Sequence, residues 1–352
     1  MRVNLTILLG VLLGLLPFTK KVVPTPPITL NVATAGTLPS LIAEDKKYQI
    51  TSLTLTGVLD GTDIHYIRDL IDHSAAKGGL KLNLEKITIA RGGGLEYFVP
   101  VAGVIPNEMF YECTGLAEIT LPSQITAIGD YAFYGCTRLT TITIPNGVTS
   151  IGNYAFAGCT GLTEVKFGEG VTAIGGSAFF GCSGLGEVTI PNRVTTIGES
   201  TFAGCKNATS IIIGEQVTAI GNSAFANCPR LTEMKIPGGV TTIGKYVFAG
   251  CTGLNSVAVG AGVESIGDRA FAKCMKLTTF TISNNLTSLG DAVFAGTRLK
   301  EIHIQHVVPL EVDDAVFDSV DPKTCHLYIP KDTHSTYWVS PVWGRFANIT
   351  EE

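Results

Sequence analysis

Eight of the nine cysteines, Cys113, Cys136, Cys159, Cys182, Cys205, Cys228, Cys251 and Cys274, stand 23 residues apart. Thiols at even count in an exported chain ordinarily point to disulfides. Stacked one above another, their Cα atoms would lie ~5 Å apart, within bridging range. Side chains in a ladder point the same way, however, which leaves Cβ atoms ~4.8 Å apart against the ~3.8 Å of a disulfide. Zinc would need Cys-x-x-Cys or histidines at ligand spacing, and neither accompanies the ladder. The expectation is buried free thiols acting as small apolar fillers, with bridges as the alternative. Cys325 falls off the lattice and is expected to line the last strand.

Other chemistry-bearing groups give way to simpler readings. Gly239 to Lys245 imitates a phosphate loop, but Tyr246 stands where a Ser or Thr would hold Mg²⁺. The same glycine frame recurs without the lysine at Gly147 to Gly152, Gly170 to Gly175 and Gly262 to Gly267, so it is repeat punctuation. Gly92, Gly93 and Gly94 read as a hinge between an N-terminal cap and the repeats. His303, His306 and His326 fall in the last strands without a carboxylate pattern, and solvated surface histidines are expected. Asp60 and Asp63 suit the N-cap of a helix. Gly-x-Ser-x-Gly and His-Glu-x-x-His are absent. No catalytic residue, cofactor or metal is expected.

The element that must position these side chains is the repeat itself. The 23-residue step also joins Phe110, Phe133, Phe156, Phe179, Phe202, Phe225, Phe248, Phe271 and Phe294, and the Ile-Gly pairs from Ile128-Gly129 onward. The unit reads Leu-x-x-Ile-x-Ile-Pro-x-x-Val-Thr-x-Ile-Gly-x-x-Ala-Phe-x-Gly-Cys-x-x, complete between Leu139 and Gly161. Alternation in Ile142-Thr143-Ile144 predicts a strand with Thr143 outward. Pro145 ends it, Val148 and Ile151 return to the core, Gly152 is read as a sharp bend, and Ala155 to Cys159 as about one tight turn. One coil cannot bury its own apolar edge, so coils must stack with strands parallel, about ten of them spanning ~48 Å. Forty glycines in 352 residues exceed the usual ~7%, and much of the excess is read as the corner set of these coils.

The remaining composition excludes further classes. With 45% hydrophobic residues the chain is too apolar for disorder, and a net charge of −5 offers no basic footprint for nucleic acid. Behind Arg2, residues 5–18 form a 14-residue apolar run, short for a bilayer span and suited to an export signal. No cysteine follows that run, so a lipid anchor is not supported. The expected organisation is a signal-like segment 1–22, a Pro-rich tether 23–27, an N-terminal capping region 28–104, a solenoid 105–330 and a C-terminal cap 331–352.

The unit resembles the BspA-type leucine-rich repeat of bacterial surface proteins, over about residues 105–330. The flanks resemble that family too: a strand at 50–56 and a capped helix at 62–71 would close one end, and Trp338, Trp343 and Phe346 the other. The resemblance implies an α/β solenoid, a right-handed superhelix of stacked parallel strands with a strand/helix cap at the N-terminus and a second cap at the C-terminus. Departures are Ala208 for the expected Leu, and a unit after Phe294 one residue short and lacking its cysteine.

What remains for function is the outward strand face, where solenoids commonly bind partners. Its candidate ligand-binding residues are Glu118, Thr120, Thr143, Glu164, Lys166, Glu187, Thr189, Ile212, Glu233 and Lys235. Glu164 beside Glu187 would set like charges across neighbouring strands. Tyr131, Tyr154 and Tyr246 occupy the other side, where aromatics suit protein or sugar contact or partly cover the turn layer. The expectation is a non-enzymatic, exported protein at the cell surface or outer envelope. The resemblance implies adhesion to an extracellular or host protein. The alternatives are a glycan-binding accessory protein of a surface polysaccharide system, or a structural spacer; nucleotide and nucleic acid are not expected as ligands.

Overall fold

The computed structural model describes residues 26–93 and 103–352. The expected export segment, most of the tether and Gly94 lie outside the described residues. Each coil opens with a short strand; in the Thr141–Thr143 type, shared by Glu164–Lys166, Glu187–Thr189 and Glu233–Lys235, the middle residue is buried and the flanking residues are exposed. In the middle coils these strands pair two by two, parallel and in register: Thr141 with Glu164, Glu187 with Ser210, Glu233 with Ser256. At the C-terminal end Thr279–Ile282, Glu301–Ile304, His326–Ile329 and Asn348–Glu351 form one four-stranded parallel sheet.

A second parallel sheet runs along the solenoid, where the repeat pattern alone predicts only a return of the chain to the core. Its nine two-residue strands extend from Val104–Ile105 to Ser288–Leu289, pairing Ile128 with Ile151 and Ile243 with Ile266. A third ladder closes the coil through the turn segment. Tyr131, Phe133 and Gly135 donate N–H bonds to the carbonyls of Asn153, Ala155 and Ala157 at 2.9, 2.7 and 2.8 Å. Almost every coil backbone is thus bonded to its neighbours on three sides, which satisfies the polar groups that stacking buries.

Inside, the phenylalanines form a continuous column from Phe110 to Phe317, with centroid spacings of 5.0–6.1 Å. Phe317 extends the 23-residue register by one step beyond the repeats read in the sequence. All nine cysteines are free and buried. The thiols do more than fill space. Cys136, Cys159 and Cys182 each donate to the carbonyl of the phenylalanine 26 residues earlier, at 3.1 Å. In the coil that lacks the cysteine, Thr297 takes its place, and its hydroxyl donates to the Phe294 carbonyl at 2.7 Å.

Two expectations about the glycines and the caps are corrected. Gly152 and its equivalents do not turn the chain through left-handed backbone; a Cβ there would stand 2.6 Å from the Asp130 nitrogen and 2.6 Å from the Gly129 carbonyl carbon. These glycines permit close approach of one coil to the next. The left-handed positions lie elsewhere in the turn, at Tyr131, Tyr154, Ser177, Ser200, Ser223 and their equivalents (φ 52–58°), and at Gly135, Gly158, Gly181, Gly204 and Gly250 (φ 68–77°). At the C-terminal end Trp343 and Phe346 are buried as expected, but Trp338 is 60% exposed and Tyr337 is buried instead. The Tyr337 hydroxyl donates to the His306 carbonyl at 2.8 Å, and Trp343 Nε1 to the Leu310 carbonyl at 2.7 Å.

The N-terminal end is closed as the sequence suggests. Ile28–Val32, Ser52–Leu59 and Leu80–Ile89 continue the strand sheet in parallel, and the last pairs with Leu116–Thr120 of the first coil. The helix Gly61–Ser74 carries a capping box between Asp60 and Asp63. Its Arg68 donates to the carbonyls of Glu108, Met109 and Tyr111 at 2.9, 3.2 and 3.0 Å, tying off the turn ladder at the open end of the solenoid.

Candidate binding surface

All ten strand-face candidates are exposed: Glu118, Thr120, Thr143, Glu164, Lys166, Glu187, Thr189, Ile212, Glu233 and Lys235. Their strands bury the intervening residue, so the pleat sends both flanking side chains outward. Ion pairs on this face are exposed ones. Lys81 meets Glu118 at 2.5 Å, Lys166 meets Glu164 at 3.4 Å and Lys235 meets Glu215 at 3.4 Å. Pairs of this kind contribute little to folding. Glu164 and Glu187 sit on consecutive coils, joined through the Gly186 N–H and Thr163 carbonyl at 3.3 Å, and Lys166 offsets the local negative charge. In the middle of this polar row Ile212 is 58% exposed, while Ile211 beside it is buried.

Towards the C-terminus the face turns aromatic. Tyr328 lies between His303 and His326, with centroid distances of 4.5 Å to each ring. His303 Nδ1 is 2.9 Å from Glu352 Oε1, and His326 Nε2 is 2.7 Å from Thr350 Oγ1. His306 does not join them; its ring is turned inward and its carbonyl receives the Tyr337 hydroxyl. Among the described residues no group of three or more His, Cys, Asp or Glu side chains is placed to hold a metal ion.

The turn edge carries a feature that sequence reading only half found. Tyr131 and Tyr154 stack at 4.9 Å with ring planes 5° apart, as expected for one register. Tyr111 and Tyr134, 23 residues apart in a second register, stack at 5.0 Å and 8°. The two columns meet, with Tyr131 5.8 Å from Tyr134 and 6.5 Å from Tyr111. Tyr246 stands apart from them, between Ser223 and Arg269 in its column. Burial, with Glu112 and Tyr134 alongside, pushes the Tyr111 phenol up.

The interior offers little to reactive chemistry. Burial pushes the thiols of Cys136, Cys182 and Cys205 well up, that of Cys274 up to about 12 and that of Cys325 up to about 11. A thiol held protonated is a poor nucleophile. An open cleft of about 490 Å³ lies at the C-terminal end among Asp313, Phe317, Asp318 and Phe346, where Arg345 pairs with Asp314 at 2.7 Å. No helix of the described residues is long and apolar enough to cross a membrane.

Several solved structures are similar to this chain. A leucine rich cell surface protein from Faecalibacterium prausnitzii A2-165 is 21% identical, with 75% of this chain and 90% of that chain covered at a TM-score of 0.35. A leucine rich repeat protein of T. pallidum is 27% identical over 57% of this chain and 78% of its own, at a TM-score of 0.39. The pneumococcal vaccine antigen PcpA is 16% identical over 86% of this chain and 79% of its own, at 0.41. At such TM-scores these likenesses carry no functional argument. No curated protein matches the chain. The model of the BspA type leucine rich repeat region matches in six copies, over residues 103–231 and 195–322. With that match spanning more than half of the chain, and with the parallel coils above, the protein belongs to the BspA-type leucine-rich-repeat family.

Proposed function

We propose that this chain is a non-enzymatic, exported cell-surface protein that recognises an extracellular or host protein through its outward strand face. The observation that carries this reading is the composition of that row. Exposed charges that add little to stability alternate with threonines around Ile212, an apolar side chain 58% exposed in the middle of the face. Hot spots of protein interfaces form where an apolar anchor is ringed by polar groups that exclude water. The interior supports the same reading, because the phenylalanine column and the thiol ladder fill it and leave the surface as the place for recognition. Surface location is supported by the family whose repeat this chain carries.

The test sets the purified chain beside a Glu164→Lys/Glu187→Lys variant on a panel of matrix proteins and on a glycan array. Saturable protein binding that the variant loses supports the strand face. Binding that survives charge reversal refutes that surface, and the absence of any saturable ligand supports a spacer instead.

A further inference from the structure

The corner that follows each strand of the solenoid holds, in one coil, a reactive pair that neither the core nor the strand face uses. Asn146-Gly147 is the only asparagine-glycine step in the chain. Both residues are exposed, in the turn from Pro145 to Val148 that the Val148 N–H closes on the Pro145 carbonyl at 3.0 Å. One hydrogen bond crosses to the next coil, where the Glu169 N–H donates to Asn146 Oδ1 at 3.2 Å. The Gly147 N–H donates to no protein group among the described residues.

These facts bear on one reaction. A backbone nitrogen can attack the side-chain carbonyl carbon of the asparagine before it, and glycine, having no Cβ, obstructs that approach least. Here the nucleophile is unbonded, and the donor on Oδ1 stands where negative charge develops as the carbonyl is attacked. The Gly147 nitrogen gives up its proton to hydroxide and bonds to Asn146 Cγ; the Cγ–Nδ2 bond breaks, and ammonia leaves with a proton from water. The cyclic imide then takes up one water at either carbonyl and opens to an aspartyl residue or to an isoaspartyl link. The sum is one water consumed and one ammonia released, with no oxidant or cofactor.

Two coils on, the chain carries its own control. Asn192 holds the same place, also exposed, with the Val194 N–H closing on the Pro191 carbonyl at 3.1 Å and the Glu215 N–H donating to Asn192 Oδ1 at 3.3 Å. Arg193 follows it, so the attacking nitrogen there belongs to a residue with a bulky side chain. Packing gives the product at Asn146 a consequence. A Cβ on Gly168 of the next coil would stand 2.6 Å from the Pro145 carbonyl carbon and 2.7 Å from Asn146 Cα, and Gly170 faces the Asn146 carbonyl. An isoaspartyl link runs the main chain through the former Cγ, adding one carbon to the backbone where the neighbouring coil leaves no space for it.

We propose that Asn146 is a site of spontaneous deamidation and isomerisation in the folded chain, and that the isoaspartyl product loosens the coil resting on it, independently of what the strand face binds. The test holds the full chain in mildly alkaline buffer for weeks and follows Asn146 and Asn192 by peptide mapping, the intact mass rising by about 1 Da per event. Conversion at Asn146 should run roughly tenfold or more ahead of that at Asn192. Arg193→Gly should bring Asn192 up to the rate of Asn146. Asn146→Ser, which installs what Ser123 carries one coil earlier, should remove the fast event, with a thermal melt to check the fold. Amide exchange in the aged chain should quicken over residues 144–172 and stay unchanged in the C-terminal cap. Four results would each overturn the proposal: equal conversion at the two asparagines, conversion of Asn146 only after the chain is unfolded in urea, an Arg193→Gly chain no faster at Asn192 than the parent, or unaltered exchange in a chain that carries the isoaspartyl link.

Discussion

Gly152→Ala and Gly158→Ala make the same chemical change six residues apart in one coil, yet their costs should differ several-fold. At Gly158 the backbone is left-handed (φ +72°), and an added Cβ would meet nothing nearer than the Gly135 backbone at 3.7 Å. The cost there is conformational, about 1–2 kcal/mol for a side chain in that region, less about 0.4–1 kcal/mol from stiffening the unfolded chain, or about 0–1.5 kcal/mol net. At Gly152 the added carbon would stand 2.6 Å from the Asp130 nitrogen, so the coils must part by about 0.8 Å to reach ordinary contact near 3.4 Å. That parting stretches the Gly152 N–H bond to the Ile128 carbonyl, now 2.8 Å, and the Asn153 N–H bond to Asp130 Oδ1, now 2.7 Å. Two weakened bonds at about 1 kcal/mol each, plus about 1–3 kcal/mol of overpacking, less the same unfolded-chain term, give about 2–4.5 kcal/mol. Urea unfolding followed by far-UV circular dichroism measures both variants against the parent. Equal losses, or a larger loss at Gly158, would refute the assignment of the Ile-Gly glycines to coil contact. The reverse change, Lys273→Gly at a left-handed position of φ 61°, should stabilise the chain by about 1 kcal/mol.

Other consequences follow from the thiol ladder and the N-terminal clamp. The thiols of Cys274 and Cys325 are raised by burial to about 12 and about 11, so the protonated form favours the fold. That contribution is complete below the unfolded value near ~8.5 and is lost as pH rises towards 11–12; urea midpoints should therefore fall between about pH 9 and 11, and a flat profile would contradict it. Alkylation at pH 8 should label none of the nine cysteines in the folded chain and all nine once it is denatured without reductant, as counted by mass; fewer than nine labels would reveal a bridge. Arg68→Ala should cost about 2–3 kcal/mol and speed amide exchange in residues 103–116 before the later coils, and uniform exchange would show that the clamp is dispensable.

The period of 23 made the stack legible, because a column such as Phe110 to Phe294 has one explanation only. Outward exposure of the ten strand-face residues followed from the same register, since strand alternation decides which side faces solvent. The second sheet was not legible. Two-residue strands such as Ser150–Ile151 are too short to show alternation and are held by register with the neighbouring coils. Glycine type alone could not separate close approach from left-handed backbone, because serine, tyrosine and arginine occupy many of the left-handed sites. Tyr337 and Trp338 are adjacent in the short helix His334–Trp338, so composition could not tell which ring would be buried. The tyrosine cluster of the turn edge is half visible in the sequence: Tyr131 and Tyr154 share one register, while Tyr111 and Tyr134, also 23 apart, meet them only through the fold.

The reading of the strand face as the recognition surface is tested most directly by hydroxyl-radical footprinting of the chain with and without any matrix protein that the panel finds to bind it saturably. Protection should centre on Glu164, Lys166, Glu187, Thr189 and Ile212, with the tyrosines of the turn edge unchanged. Protection confined to Tyr131, Tyr134 and Tyr154, with Ile212 still fully reactive, would contradict it.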